Sequence, residues 1–169
     1  KGKHRFYTNS DTEVIVHLYE EYGDDFPKYL DGMFAIALYD QKNKKLVLAR
    51  DRIGIKPLYY TSEGNFCFAS ELKALLKYEE IKREIDRNSF HHYLSFGYIP
   101  APLSIIKSVK KLLPGHVLIY KNGKRTLKKY WDLQYFENST KTEKQLGNEL
   151  LNTLRSSVKS HLISDVPLG

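Results

Sequence analysis

Met33-Phe34-Ala35-Ile36-Ala37-Leu38-Tyr39 is continuously apolar, Asp40 to Lys45 is polar, and Leu46-Val47-Leu48-Ala49 is apolar again. Two short apolar runs divided by a polar turn read as an antiparallel hairpin. Neither run alternates apolar with polar, so both faces of the hairpin are expected to be covered. Antiparallel strands buried on both faces require a layered sandwich rather than a one-sided sheet.

Upstream of the hairpin, Ser10-Asp11-Thr12-Glu13 has the spacing of a capping box. In that arrangement the Ser10 hydroxyl accepts from the Glu13 amide and the Glu13 carboxylate returns the bond. The helix that follows places Val14, Leu18 and Tyr22 on one face, with Ile15 and Tyr19 beside them, and Gly23 ends it. Downstream, Arg50 to Pro57 is a charged loop leading into Leu58-Tyr59-Tyr60, and Phe66-Cys67-Phe68-Ala69 is a further short strand. Ser70 is expected to cap a helix over 71–76. Asp86 is expected to cap another whose apolar side is Phe90, Tyr93 and Leu94. A second hairpin spans His116 to Tyr130, and Asn122-Gly123 is its turn. Residues 137–141 are polar and read as a linker. Thr142-Glu143-Lys144-Gln145 is a second capping box, and the helix after it lines up Leu146, Leu150, Leu151, Leu154, Val158 and Leu162.

The chain has 169 residues, 41% of them apolar, enough for a substantial core and the beginning of a second domain. Its mean hydropathy is −0.49, and no apolar run approaches the roughly 20 residues of a membrane helix. One cysteine excludes an internal disulfide framework and fits a reducing, cytoplasmic setting. Lysines and arginines number 27 against 20 acidic residues, a formal net charge of +7. The basic residues are scattered, with clusters at Lys107, Lys110, Lys111 and at Lys121, Lys124, Arg125, Lys128, Lys129. A nucleic-acid interface would need aromatic and basic residues interleaved on one strand face, and that pattern is missing. A chain that begins at Lys1, has its only methionine at Met33 and stops just after an amphipathic pattern reads as an internal stretch of a longer protein.

Few residues stand out chemically. Cys67, between two phenylalanines, reads as a buried structural thiol. His91 and His92 are adjacent and point about 100° apart on a helix, so no metal site is expected. Glu20-Glu21 and Asp24-Asp25 read as solvated carboxylates. Arg50-Asp51-Arg52 places three charges directly after a buried strand, and an ion-pair network holding the loop is the simplest reading. Asp11 is the best single candidate: Ser10 already supplies the cap, which leaves this first-turn carboxylate for an ammonium group.

Several longer motifs then occur in order. Thr8-Asn9-Ser10-Asp11-Thr12-Glu13-Val14-Ile15, Leu30-Asp31-Gly32-Met33-Phe34-Ala35 and Ala49 to Tyr60 (A-R-D-R-I-G-I-K-P-L-Y-Y) are followed by Phe68-Ala69-Ser70-Glu71-Leu72-Lys73-Ala74-Leu75. Gly97-Tyr98-Ile99-Pro100-Ala101-Pro102, Leu113-Pro114-Gly115-His116, Tyr130-Trp131 and the run Ser160 to Gly169 complete the series. Together they resemble the glutamine-dependent asparagine synthetases over nearly the whole chain.

The resemblance implies an α+β fold. Residues 1–136 would be the C-terminal part of a four-layer αββα N-terminal-nucleophile hydrolase sandwich, the glutaminase domain. Residues 142–169 would open an α/β ATP-pyrophosphatase-type synthetase domain with its first helix. In such enzymes an N-terminal cysteine attacks the glutamine amide, its own amine serves as base, and an Asn-Gly pair forms the oxyanion hole. The ammonia then reaches an aspartate β-carboxylate activated as an adenylate with ATP and Mg²⁺. Asp11 matches the family position that holds the glutamine α-amino group. Arg50, Asp51 and Lys56 match motif positions and are read as structural or domain-contact residues. The nucleophilic cysteine has no counterpart in this chain, Asn122-Gly123 is not the oxyanion pair, and the ATP loop would follow Gly169. The chain by itself is therefore expected to be inactive. Its implied partners are glutamine, aspartate and ATP, with neither nucleic acid nor membrane, and a homodimer is conceivable. An amidotransferase acting on another carboxylate, as in surface polysaccharide synthesis, and a non-catalytic basic nucleic-acid-binding module are the alternative readings.

Overall fold

A computed structural model of the chain describes residues 4–135, 140–162 and 166–167. It divides into two compact units, Lys1–Asp132 and Leu133–Gly169. The first begins with helix α1, Asp11–Tyr22, and a 3₁₀ turn, Gly23–Tyr29, that carries the fully buried Phe26. Strands β1, Ala35–Asp40, and β2, Lys45–Arg50, form the expected antiparallel hairpin, with Ala35 opposite Arg50 and Asp40 opposite Lys45. Then come β3, Tyr59–Thr61, β4, Phe68–Ala69, the single turn α2, Leu72–Leu75, and α3, Arg87–Phe96. Strands β5, Val109–Lys111, β6, His116–Lys121, and β7, Lys124–Lys129, finish the unit. Asn122 and Gly123, with φ of 50° and 74°, make the β6–β7 turn, as that dipeptide predicts.

The strands form two antiparallel sheets, ordered β1-β2-β6-β7 and β4-β3-β5. The period-2 alternation of a strand sorts their side chains between separate cores. Val47, Ala49 and Val117 join Phe26, Ile36 and Tyr130 against α1. Their neighbours Leu48 and Leu118 point the other way and meet Leu58, Leu112 and, from the second sheet, Tyr60. Tyr59, one residue before Tyr60, faces a third core of Leu75, Ile81, Ile106 and Val109.

Four expectations need correction. β1 is covered on one face only: Ile36 is buried, but Ala35, Ala37 and Tyr39 are exposed. β1 is one of the two edge strands, and the Leu48–Leu118 core is built on the inner strands β2 and β6. The strand expected over 66–69 is confined to β4. The α2 turn starts from Glu71 and has no side-chain cap, because Glu71 pairs with Lys73 at 2.8 Å and Ser70 is not the capping residue. The apolar side of α3 is exposed at Phe90, Tyr93 and Leu94. That helix is tied at its start instead, where the Asp86 amide donates to the Ile105 carbonyl and the Ser89 hydroxyl to the Asp86 carboxylate.

In the second unit, α4, Glu143–His161, has the capping box expected of it. The Thr142 hydroxyl accepts from the Gln145 amide, and the Gln145 side chain accepts from the Thr142 amide at 2.8 Å. Its apolar stripe from Leu146 to Leu162 is exposed. Of the expected linker, 137–141, only Thr140 and Lys141 are described, and the Ser160–Gly169 run also falls partly outside the described residues. No helix among the described residues is long and apolar enough to cross a membrane.

Gly115 shows how tightly the first unit closes. Its φ is +64°, and a Cβ there would lie 2.6 Å from the Trp131 carbonyl oxygen. Gly123 has a similar φ with nothing within 4 Å. Gly123→Ala should therefore cost only the left-handed backbone penalty, about 1–2 kcal/mol. Gly115→Ala should cost clearly more, about 3 kcal/mol, because backbone must move. Urea unfolding of the two variants side by side measures the difference.

Candidate functional site

Asp11 is the first residue of α1 and is exposed. The Ser10 hydroxyl accepts from the Thr12 amide at 3.2 Å, so the cap is made without Asp11. Among the described residues the Asp11 carboxylate has only a 3.3 Å bond from the Thr12 hydroxyl and no ion pair. A carboxylate in that position is presented to solvent as an acceptor for a cationic ligand group.

The segment leading to Asp11 is held differently from the expected capping box. The Glu13 carboxylate turns upstream and accepts the amides of Tyr7 and Thr8, each at 2.7 Å, along with the Thr8 hydroxyl. The Ser10 amide donates to the Thr8 hydroxyl instead of to Glu13. Adjacent amides converging on one carboxylate give more charge-assisted bonds than the single bond of a capping box. They draw the Glu13 pKa from 4.5 to about 2, the Thr8 hydroxyl contributing most and the Tyr7 amide next. A lowered carboxylate pKa stabilises the fold above its ordinary value, and that stability disappears as pH falls. Wild type should therefore exceed Glu13→Gln in unfolding midpoint at neutral pH. The gap should close as pH drops from 4.5 toward about 2.

The loop after β2 is built from two buried charges that serve the backbone. The Arg50 guanidinium donates to three carbonyls: Lys56 at 2.8 Å, Leu112 at 2.6 Å and Gly54 at 2.7 Å. The Asp51 carboxylate accepts the amides of Ile55 and Lys56, each at 2.9 Å. Of the expected ion-pair network only Arg52 keeps a pair, with Asp31 at 3.8 Å, while Arg50 and Asp51 form two separate charge-to-backbone networks. Successive residues leaving a strand point to opposite sides, so Arg50 and Asp51 do not face each other. Burial lowers the Arg50 pKa, and the nearby Asp51 charge opposes that shift. Lys56 contributes through its backbone, and its side chain is exposed. Gly54 lies so close to the guanidinium that a Cβ would come 3.0 Å from Arg50 Cζ and 2.8 Å from Pro114 Cγ. Arg50 and Asp51 are 8% and 1% exposed, so they shape the loop and leave no surface for a ligand. Arg50→Lys, a single point charge in place of a planar fork, leaves at least one buried carbonyl unpaired. It should cost about 3 kcal/mol in urea unfolding, whereas Lys56→Ala should stay within about 0.5 kcal/mol.

Cys67 packs among the residues of the third core, and burial pushes its thiol pKa up. Such a thiol is a poor nucleophile at neutral pH. A cavity of about 320 Å³ lies beneath Thr61, Asn65, Tyr78 and Glu80, and neither Asp11 nor the Arg50–Lys56 loop lines it. One grouping has no precedent in the linear sequence reading: His4, His17 and Glu20 offer ligand atoms within 4.8 Å of one another. The spacing of His17 and Glu20, three apart on a helix, was the available signal. His4 joins them only through the fold.

Residues 1–131 match the family model described as glutamine amidotransferase domain. Over 167 residues the chain is 35% identical to asparagine synthetase (glutamine-hydrolyzing) 3 of Bacillus subtilis, which covers 98% of this chain and 27% of that protein. Over 166 residues it is 37% identical to asparagine synthetase (glutamine-hydrolyzing) 1 of the same organism, covering 97% and 26%. The chain therefore spans about a quarter of the length of these relatives. Among solved structures, glutamine phosphoribosylpyrophosphate amidotransferase from B. subtilis aligns with 76% of this chain and 24% of its own, at 18% identity and a TM-score of 0.48. The capped start of α1 and the Arg50–Lys56 loop both lie inside the matched stretch, and the chain belongs to the glutamine amidotransferase domain family.

Proposed function

We propose that this chain supplies the glutamine-anchoring part of a glutamine-hydrolysing asparagine synthetase. The observation that carries the reading is Asp11: an exposed carboxylate at the start of α1, relieved of capping by Ser10, inside the matched domain. In this reading the glutamine α-ammonium donates to Asp11, which fixes the substrate while its side-chain amide is cleaved. The nucleophile is a cysteine outside this chain, since Cys67 is half-buried against the third core and its pKa is raised. The released ammonia amidates the β-carboxylate of aspartate in a second domain. The two sheets with α1 against one and α2 beside the other are consistent with part of an αββα sandwich. We assign residues 1–136 to that glutaminase domain, 137–141 to a linker and α4 to the opening of the synthetase domain, in a cytoplasmic enzyme.

Mg²⁺-ATP, which this activity requires, does not fit the described residues. At the start of α1 and of α4 the cap side chain takes one amide, that of Thr12 and of Gln145, each start carries an acidic residue in its first turn, and the residue before α3 is the carboxylate Asp86. A carboxylate at each of these starts repels a phosphate. No step is therefore assigned to ATP in this chain.

In the protein that carries this chain, Asp11→Asn should raise the KM for glutamine about 10-fold or more, the worth of one charge-assisted hydrogen bond. Ammonia-dependent asparagine formation should stay within about twofold, because ammonia bypasses the anchor. Equal loss of both activities would overturn the assignment. Cys67→Ser should leave glutamine hydrolysis in place, and its abolition would identify Cys67 as the nucleophile instead. Omitting aspartate, with other carboxylates offered as acceptors, decides between asparagine formation and a different amidation.

A further inference from the structure

His4 and His17 are arranged as metal ligands are. Glu20 Oε2 lies 3.3 Å from His4 Nδ1 and 3.6 Å from His17 Nδ1, so one carboxylate oxygen faces the same ring nitrogen of both histidines. Bonds of about 2.0–2.1 Å at tetrahedral angles put neighbouring ligand atoms about 3.3–3.4 Å apart. Two edges of such a tetrahedron are therefore nearly in place. The two rings lie close, with centroids 4.6 Å apart.

The opposite ring nitrogens are backed by carboxylates. His4 Nε2 bonds to Glu21 Oε1 at 3.0 Å, and His17 Nε2 faces Glu13 Oε1 at 3.6 Å. A carboxylate behind the distal nitrogen orients a metal-bound imidazole and makes it a better donor. Both His17 ring nitrogens are buried with no hydrogen-bond partner. Leaving polar atoms buried and unsatisfied is costly, and a cation bound at Nδ1 removes one of the two orphans.

We propose that His4, His17 and Glu20 bind one divalent cation of the Zn²⁺ class, with a fourth position taken by water. Two imidazoles and one carboxylate suit Zn²⁺ or Co²⁺ and disfavour Mg²⁺ and Ca²⁺, which prefer all-oxygen shells. His17 and Glu20 project from neighbouring turns of α1, and His4 comes from the segment that enters the helix. The cation joins the two, and thereby braces the segment from His4 to Thr8 that Glu13 also holds. Its helical ligands His17 and Glu20 lie about 9 and about 13.5 Å along the helix from Asp11, at 1.5 Å per residue. The proposal does not depend on which acceptor the enzyme amidates.

The test uses the metal-free 169-residue chain titrated with Zn²⁺ by calorimetry and with Co²⁺ by visible spectroscopy. The expected result is one cation per chain, a Co²⁺ spectrum of four-coordinate intensity, and its displacement by Zn²⁺. His17→Gln and Glu20→Gln should each weaken Zn²⁺ binding at least ~10-fold, and Glu21→Gln, which only orients His4, about 10-fold. His4→Gln tests the site without touching a helix, so loss of binding there with unchanged circular dichroism is not a folding defect. Replacing both His91 and His92 by Gln should change nothing. Absence of stoichiometric uptake, uptake that survives His4→Gln and His17→Gln together, or loss in the His91/His92 variant would overturn the proposal.

Discussion

Arg50 sits at the end of the central strand β2, under 10% exposed, and its guanidinium is spent entirely on backbone carbonyls. A buried cation is tolerated only when its donors are satisfied, and here three carbonyls from two chain segments, Gly54 and Lys56 in the following loop and Leu112 far along the chain, satisfy them. Asp51 repeats the device with opposite sign, on the amides of Ile55 and Lys56. The backbone of the same two residues reaches further. The Asp51 amide donates to Phe34, its carbonyl accepts from Gly115, and the Arg50 carbonyl accepts the Tyr130 hydroxyl. The first hairpin, the approach to the second and the residues after β7 thus meet at one corner.

That corner explains why certain neighbours are so constrained. Gly54 and Gly115 both need positive φ, and both lie where a Cβ would strike an atom already committed to the corner. Tyr130 is buried there, and burial pushes its phenol up to about 12, so it remains a hydrogen-bond donor at any physiological pH. Beside this corner β2 pairs with β6 as well as with β1, although 60-odd residues separate β2 from β6 in sequence.

The candidate ligand positions lie on α1, which packs Ile15, Leu18 and Tyr19 onto the opposite side of the first sheet. Its start carries Asp11, and the side it turns to the entering segment carries His17 and Glu20. A rigid helix seated on a core holds such groups more reliably than a loop does. Glu13 adds a local restraint by gripping the two amides just ahead of the cap. The polar side chains on the helix are thus positioned by apolar ones that never contact a ligand.

Local chemistry was legible in the sequence wherever neighbours along the chain decide the outcome. The hairpin turn at Asn122-Gly123, the α1 span, the Thr142–Gln145 capping box and the freedom of Asp11 all follow from residues within a few positions. The family was legible from motifs that run in order. Other features needed partners distant in sequence. Glu13 prefers Tyr7 and Thr8 to Ser10 only because the entering segment doubles back. Arg50 and Asp51 bind backbone rather than each other because the strand turns them apart and Leu112 arrives from 62 residues away. Whether β1 and α3 bury their apolar faces depends on which element lies beside them, and periodicity does not report that. His4 reaches His17 and Glu20 for the same reason. The sequence alone determined most of the elements, the Thr142–Gln145 cap and the family, which rest on short-range hydrogen bonding and side-chain pattern. The tertiary structure decided which charges are buried, what satisfies them and which ligating atoms meet, since these are properties of through-space distance.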